Sequence, residues 1–324
     1  MTYAKPHLSY AQQLALLKSR GLVCSDDARA TRTLELVGYY NFTGYLHSFR
    51  LPDPSDPNCQ KRLDQVRPGI LFEDVASLLE FDRALRGALL KGIQLVEVGV
   101  RSRIAYVLGK RDPFGHTNAA SLDPRATRRS QVRGSVRDTA FSWWLSEYAR
   151  LQGRAQTEPY VGHNLAKYGP PLPIWIACEF FDFGAVTRLY QFLVHADRQA
   201  IAASAGLTRE RTLRSWLTTA NYVRNICAHN ARLWNRRLIQ QPMLQTNDLP
   251  ASLQHLTGTP SDKVYAVLAI TAYLTDHLSP EAQWRETIVS TLTTFPTIAG
   301  RSTGEMGVPT DWTNKIIWKQ EGHR

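Results

Sequence analysis

Along most of this chain apolar side chains recur every three or four residues, the spacing that lines one face of a helix. Leu14, Leu16 and Leu17 mark a first helix within 9–20, which Gly21 stops. Ser25, Asp26 and Asp27 open a second that runs to Gly38, so the two read as a helical hairpin. Tyr39, Tyr40, Phe42, Tyr45 and Phe49 follow. Their first use is to cover the apolar faces of the hairpin, and their second, beside Arg50, is to stack bases. Residues 51–69 carry Pro52, Pro54, Pro57 and Pro68 and read as a loop. From Phe72 to Lys110 there is no proline, and Val75, Leu78, Leu85, Leu89, Ile93, Val96, Val100 and Ile104 keep a helical period. One long helix is predicted there, softened at most at Gly87, Gly92 or Gly99.

Arg125, Arg128, Arg129 and Arg133 make 111–137 a basic connection. A packed helix is expected at 141–151, a Gly- and Pro-rich connection at 160–173, and helix again at 174–194 around the turn at Phe181 to Gly184. Residues 198–205 lead into the next helix, and 264–278 and 281–295 form two more, after which Trp312 and Trp318 fold the end of the chain back onto the body. No alternating run is long enough to predict a strand. The pattern predicts an all-α fold, an amino-terminal helical hairpin region (1–68) followed by a main helical domain (69–324).

The densest stretch is 208–236. Leu213, Trp216, Leu217, Ala220, Val223 and Cys227 form the apolar stripe of one helix. At about 100° per residue Arg224 falls roughly 20° from Leu213, while Asn221, Asn225 and His229 climb a polar flank. An arginine beside a core stripe needs a carboxylate, backbone carbonyls, a subunit interface or an anionic ligand, because its charge cannot be shed. On residue types alone, a polar network that ends the helix accounts for the same residues. A second charged pair, Glu97 with Arg101, stands at i, i+4 on the long helix and reads first as a surface pair.

Charge adds to this picture. The 324 residues hold 39 Lys and Arg against 28 Asp and Glu, a net charge of +11, which suits a polyanionic partner without identifying one. Cys24, Cys59, Cys178 and Cys227 are far apart and suggest neither a zinc site nor a disulfide framework. No segment has the length or apolarity of a signal peptide or membrane span, so a cytoplasmic protein without membrane association is expected. Walker and Rossmann glycine patterns are missing, and no cofactor is expected.

The string RNICAHNARLWNR (224–236) resembles the Arg-X4-His signature of the HEPN superfamily, in the form carried by the Abi-like, abortive-infection family. KPHLSYAQQLALLKSRGL and LELVGYYNFTGYLHSFR are similar to that family's amino-terminal signature, and FDRALRGALLKGIQLVEVGVRSRIA to its central helix. PLPIWIACEFFDFGAVTRLY and MGVPTDW resemble the segments that precede the motif and close the chain. One departure is Asn230, where the family commonly has a second histidine.

The resemblance implies a HEPN-like bundle and metal-independent endoribonuclease activity with Arg224 and His229 as the principal pair and Asn225 orienting the imidazole or the attacking hydroxyl. His229 is the group whose ordinary pKa, about 6.5, suits proton transfer near neutral pH. Arg224 offers forked donors to phosphate. Arg232, Asn235 and Arg236 follow at near-helical spacing and are candidates to hold flanking RNA phosphates. No acidic residue lies between Arg211 and Asn247, so no metal site is expected at the motif. Five residues along a helix turn by roughly 140° and rise about 7.5 Å, which parts Arg224 from His229 unless the helix is distorted or ends near Ala228. A homodimer with a composite site is therefore expected, with RNA as substrate and an RNA or protein antitoxin as a further partner implied by the family. A catalytically silent module binding RNA or a nucleotide, and a purely structural helical subunit, are the alternatives.

Overall fold

A computed structural model describes residues 6–58, 61–126 and 139–319. Its first elements are α1 (Tyr10–Ser19) and α2 (Asp27–Val37), packed as the expected hairpin. Ser9 caps α1 in a capping box with Gln12, and Asp26 caps α2 by accepting from the Arg29 amide. Helix α3 (Tyr39–Leu46) buries Phe42, Tyr45 and Leu46. The stretch read as a loop contains a small antiparallel ribbon, β1 (Arg50–Pro52) with β2 (Arg62–Val66). These strands are too short to show an alternating pattern, and Pro52 stands at the tip of the ribbon, paired with Arg62, where it interrupts little.

Helix α4 (Phe72–Arg111) is one unbroken helix of 40 residues and the axis of the protein. In chain order the remainder is α5 (Ala140–Arg154), α6 (Pro159–Tyr168), α7 (Ile174–Ala177), α8 (Phe183–Phe192), α9 (His195–Ser204), α10 (Glu210–Ala228), α11 (Val264–Leu278) and α12 (Trp284–Thr293). Helices α3, α7, α8, α9, α10, α11 and α12 all pack against α4. The fold is all-α apart from the ribbon. Helix α6 departs from expectation, since its segment reads as a connection. Pro159 at the first helical position and Gly169 at φ +74° bound a short helix there, and the proline-rich run that follows hides it in the sequence.

Close approach to α4 is made at its glycines. A Cβ on Gly92 would stand 2.3 Å from the Trp284 ring, and one on Gly99 would stand 2.7 Å from Leu278 Cβ. Trp284 also donates its ring N–H to the Ala88 carbonyl at 2.7 Å, so α12 is fixed across α4 by shape and by a hydrogen bond. At the far end Trp318 is buried and donates to the Tyr265 hydroxyl at 3.0 Å, which seats the end of the chain on the body as expected. Arg128, Arg129 and Arg133 of the basic connection lie outside the described residues.

Candidate active site at the end of the motif helix

Helix α10 buries Leu213, Trp216, Leu217, Ala220, Val223 and Cys227, the stripe expected from spacing, and ends at Ala228. His229 is the C-cap and is exposed. Beyond it the backbone closes a Schellman motif: the Ala231 amide donates to the Ile226 carbonyl at 3.0 Å and the Asn230 amide to Cys227 at 3.1 Å, with Asn230 at φ +54°. Asparagine is one of the few residues that accept this left-handed conformation readily. Asn230, the departure noted in the sequence, is thus a residue suited to the turn.

Arg224 lies at the edge of the stripe, half-buried, with Nη1 donating to Asn225 Oδ1 at 3.3 Å. Its Nε is buried with no hydrogen-bond partner among the described residues. It lines a depression of about 870 Å³ with Arg154, Glu158, Tyr160, Glu179 and Asp182. Glu97 stands near it, and this pair with Arg101 is not the surface pair that spacing suggests. Both side chains are largely buried, Arg101 donates to Glu97 at 2.7 Å and to the Phe181 carbonyl at 3.0 Å. Burial raises the Glu97 pKa, opposed by the charges of Arg101 and Arg224.

The segment after the motif is held by a buried network that sequence reasoning missed. The Asp82 side chain, fully buried on α4, accepts from the Trp234 amide at 2.6 Å, the Leu233 amide at 3.1 Å and the Tyr45 hydroxyl at 2.5 Å, and pairs with Arg86. Arg86 also donates to Tyr45 at 2.9 Å. Burial first, then the Asp82 carboxylate, pushes the Tyr45 phenol up, so it remains a donor. One carboxylate therefore ties α3, α4 and the post-motif turn together.

That turn lines a cleft of about 1310 Å³ together with α1, α3 and the ribbon. Asn230, Ala231, Arg232 and Arg236 share its lining with Arg20, Tyr39, Tyr40, His47 and Arg50. Asp64 is the acidic residue of the lining among the described residues, and it is shared by Arg20 at 2.8 Å and Arg50 at 3.2 Å. Arg232 donates to the Gly44 carbonyl and Arg236 to the Arg232 carbonyl at 3.1 Å. Burial pulls the Arg232 and His47 pKa values down, and the neighbouring arginines Arg50, Arg232 and Arg62 add to the effect at His47.

Of the sequence candidates, Arg232 and Arg236 meet in this cleft, Arg224 lines the other depression, and His229 and Asn225 are exposed and line neither. Asn235 is at φ +48° with its Oδ1 buried and without a hydrogen-bond partner among the described residues, and it is not in the cleft lining. Arg224 and His229 of one chain thus share neither pocket. Among the described residues no group of three or more His, Cys, Asp or Glu is placed to hold a metal ion, and no helix is long and apolar enough to cross a membrane.

Fold and site together define an all-helical protein whose motif helix ends in an exposed histidine beside an arginine-lined cleft. A family model described as Abi-like protein matches residues 32–235, from α2 through the motif to the turn held by Asp82. The chain belongs to that family. Comparisons with curated proteins and with solved structures gave no match.

Proposed function

We propose that the chain is a metal-independent endoribonuclease of the HEPN type, acting as an abortive-infection or toxin-type effector. What carries the reading is that a member of the Abi-like family holds Arg224 and His229 on the last turns and cap of one helix, with the imidazole exposed. In this chemistry the RNA 2′-oxygen bonds to the adjacent phosphorus, its proton passes to a base, and the bond from phosphorus to the 5′-oxygen breaks as that oxygen gains a proton. His229 moves protons, Arg224 neutralises the charge that builds on the phosphate oxygens, and Asn225, within reach of Arg224, orients it.

Two protomers complete the site. Arg224 lines a depression that His229 does not share, which supports a site in which Arg224 of one protomer serves with His229 of the other in a homodimer. The test is incubation of parent, Arg224→Ala and His229→Ala proteins with mixed RNA in EDTA. The parent should leave 2′,3′-cyclic phosphates and 5′-hydroxyls and spare DNA and 2′-O-methyl RNA, while both variants keep a helical circular dichroism spectrum and lose cleavage. Dependence on magnesium, 5′-phosphate products or full activity in both variants would sink the proposal. RNA binding without cleavage by the parent would return the catalytically silent module.

A further inference from the structure

We infer that the cleft lined by α1, α3, the ribbon and the post-motif turn is a binding groove for single-stranded RNA, with phosphates on Arg50 and Arg236 and an unpaired base on Tyr40. The inference rests on the ribonuclease reading for RNA as the substrate and adds a site built mainly by residues outside the motif. Four observations lead to it.

The lining is cationic and poorly neutralised: Arg20, Arg50, Arg232 and Arg236 stand against Asp64 alone among the described residues. Two of those arginines already share that carboxylate. Arg50 Nε is a buried donor without a hydrogen-bond partner among the described residues, so the guanidinium is not fully satisfied by Asp64. Tyr39 and Tyr40 meet edge to face at 5.5 Å in the same lining, and Tyr40 is 73% exposed, which offers an aromatic surface beside guanidinium groups. Finally, the cleft adjoins the site: Asn230 and Ala231, the residues that directly follow His229, are part of its wall.

Size and chemistry select the ligand. At about 1310 Å³ the cleft exceeds the roughly 300–1,000 Å³ that holds a drug-sized molecule, which favours a chain over one nucleotide. A tyrosine face is useful to a base only when that base is unstacked, which favours a single strand over a duplex. A strand lying there passes from the groove directly to His229, so the groove sets which phosphate is presented for cleavage.

The experiment is equilibrium binding of a labelled single-stranded oligoribonucleotide to the His229→Ala protein, which scores binding without turnover, at several salt concentrations. Adding Arg236→Gln should weaken binding and lower the slope of log K against log salt by about 0.7, one phosphate contact to a single strand. Adding Tyr40→Ala should weaken binding about tenfold with the slope unchanged, and Tyr40→Trp should restore it. Arg83→Gln, an exposed arginine of α4 outside the groove, controls for net charge and should change neither quantity. Unlabelled single-stranded RNA should compete well, duplex RNA poorly, and a mononucleotide only at far higher concentration. Groove variants that bind as the parent does while the parent binds RNA would overturn the groove alone. Equal competition by polyglutamate would also overturn it, by showing a general anion sink. No RNA binding by the parent would remove both the groove and the ribonuclease reading.

Discussion

Asn230 shows how one residue can be set by backbone geometry where the family commonly uses another. Its φ of +54° costs an ordinary L-residue roughly 1–2 kcal/mol, less for asparagine and nothing for glycine. Asn230→Gly should therefore leave urea-unfolding stability within a few tenths of a kcal/mol, while Asn230→Ala should lose about 1 kcal/mol. Equal stability of the two variants would mean that the turn does not depend on the left-handed residue. His116 poses the opposite case, a titratable group the fold keeps neutral. It is fully buried, neither ring nitrogen has a hydrogen-bond partner among the described residues, and burial lowers its pKa to about 4, with Asp112 opposing. Between the ordinary value near 6.5 and about 4 the unfolded chain binds a proton the folded one refuses. Stability therefore falls as pH drops through that window, by up to roughly 3 kcal/mol. His116→Phe should flatten the pH dependence of the unfolding midpoint between pH 6.5 and 4.5, and an unchanged slope would assign the acid sensitivity elsewhere. Asp82 was not legible in the sequence for a plain reason. In FDRALR it looks like an acid on a helix, and its partners Leu233 and Trp234 lie 151 and 152 positions away.

At the scale of elements, the legible parts were those with long, repeated apolar spacing. Helix α10 and helix α4 fall where their stripes place them, and the caps of α1 and α2 fall at residues with the right side chains. The errors sit where tertiary context decides. A short helix between prolines, α6, and a short two-stranded ribbon carry too few residues for a period to emerge. The burial of Glu97 and Arg101 depends on α8 and its preceding turn arriving from elsewhere in the chain, so i, i+4 spacing alone could not reveal it. The glycines of α4 make the same point with a sharper consequence. Gly87 has open space where a Cβ would go, whereas at Gly92 that atom would collide with the Trp284 ring. Gly87→Ala should raise stability by about 0.5–1 kcal/mol through helix propensity. Gly92→Ala should lower it by about 1–3 kcal/mol through overpacking. Thermal unfolding of the two variants checks the contrast, and a stabilising Gly92→Ala would show that α12 is not held as closely to α4 as the packing requires.

For the whole molecule, a net charge of +11 becomes informative only once its placement is known. Arginines from residues 20, 50, 232 and 236 meet in one cleft, a grouping of which Arg50 and Arg232 lie inside the family-matched region and Arg20 and Arg236 outside it, invisible to any window of sequence. The candidate pair was legible because Arg224 and His229 lie in one stretch; that Arg224 lines a depression which His229 does not share is decided by how the helices pack around the end of α10. This separation gives the proposed composite site its most direct test. In a two-fold dimer whose sites each take Arg224 from one protomer and His229 from the other, a heterodimer of Arg224→Ala with His229→Ala chains has one site lacking both groups and one site intact. Each variant alone should be inactive. Mixed under exchanging conditions, half of the dimers are heterodimers, and RNA cleavage in EDTA should return to roughly a quarter of the parent rate. The returned activity should rise with mixing time as subunits exchange and vanish if the two variants are cross-linked as homodimers before mixing. No recovery, with exchange verified by differently labelled chains, would mean that both groups act within one protomer, and α10 would then have to distort beyond Asn225 to bring them together.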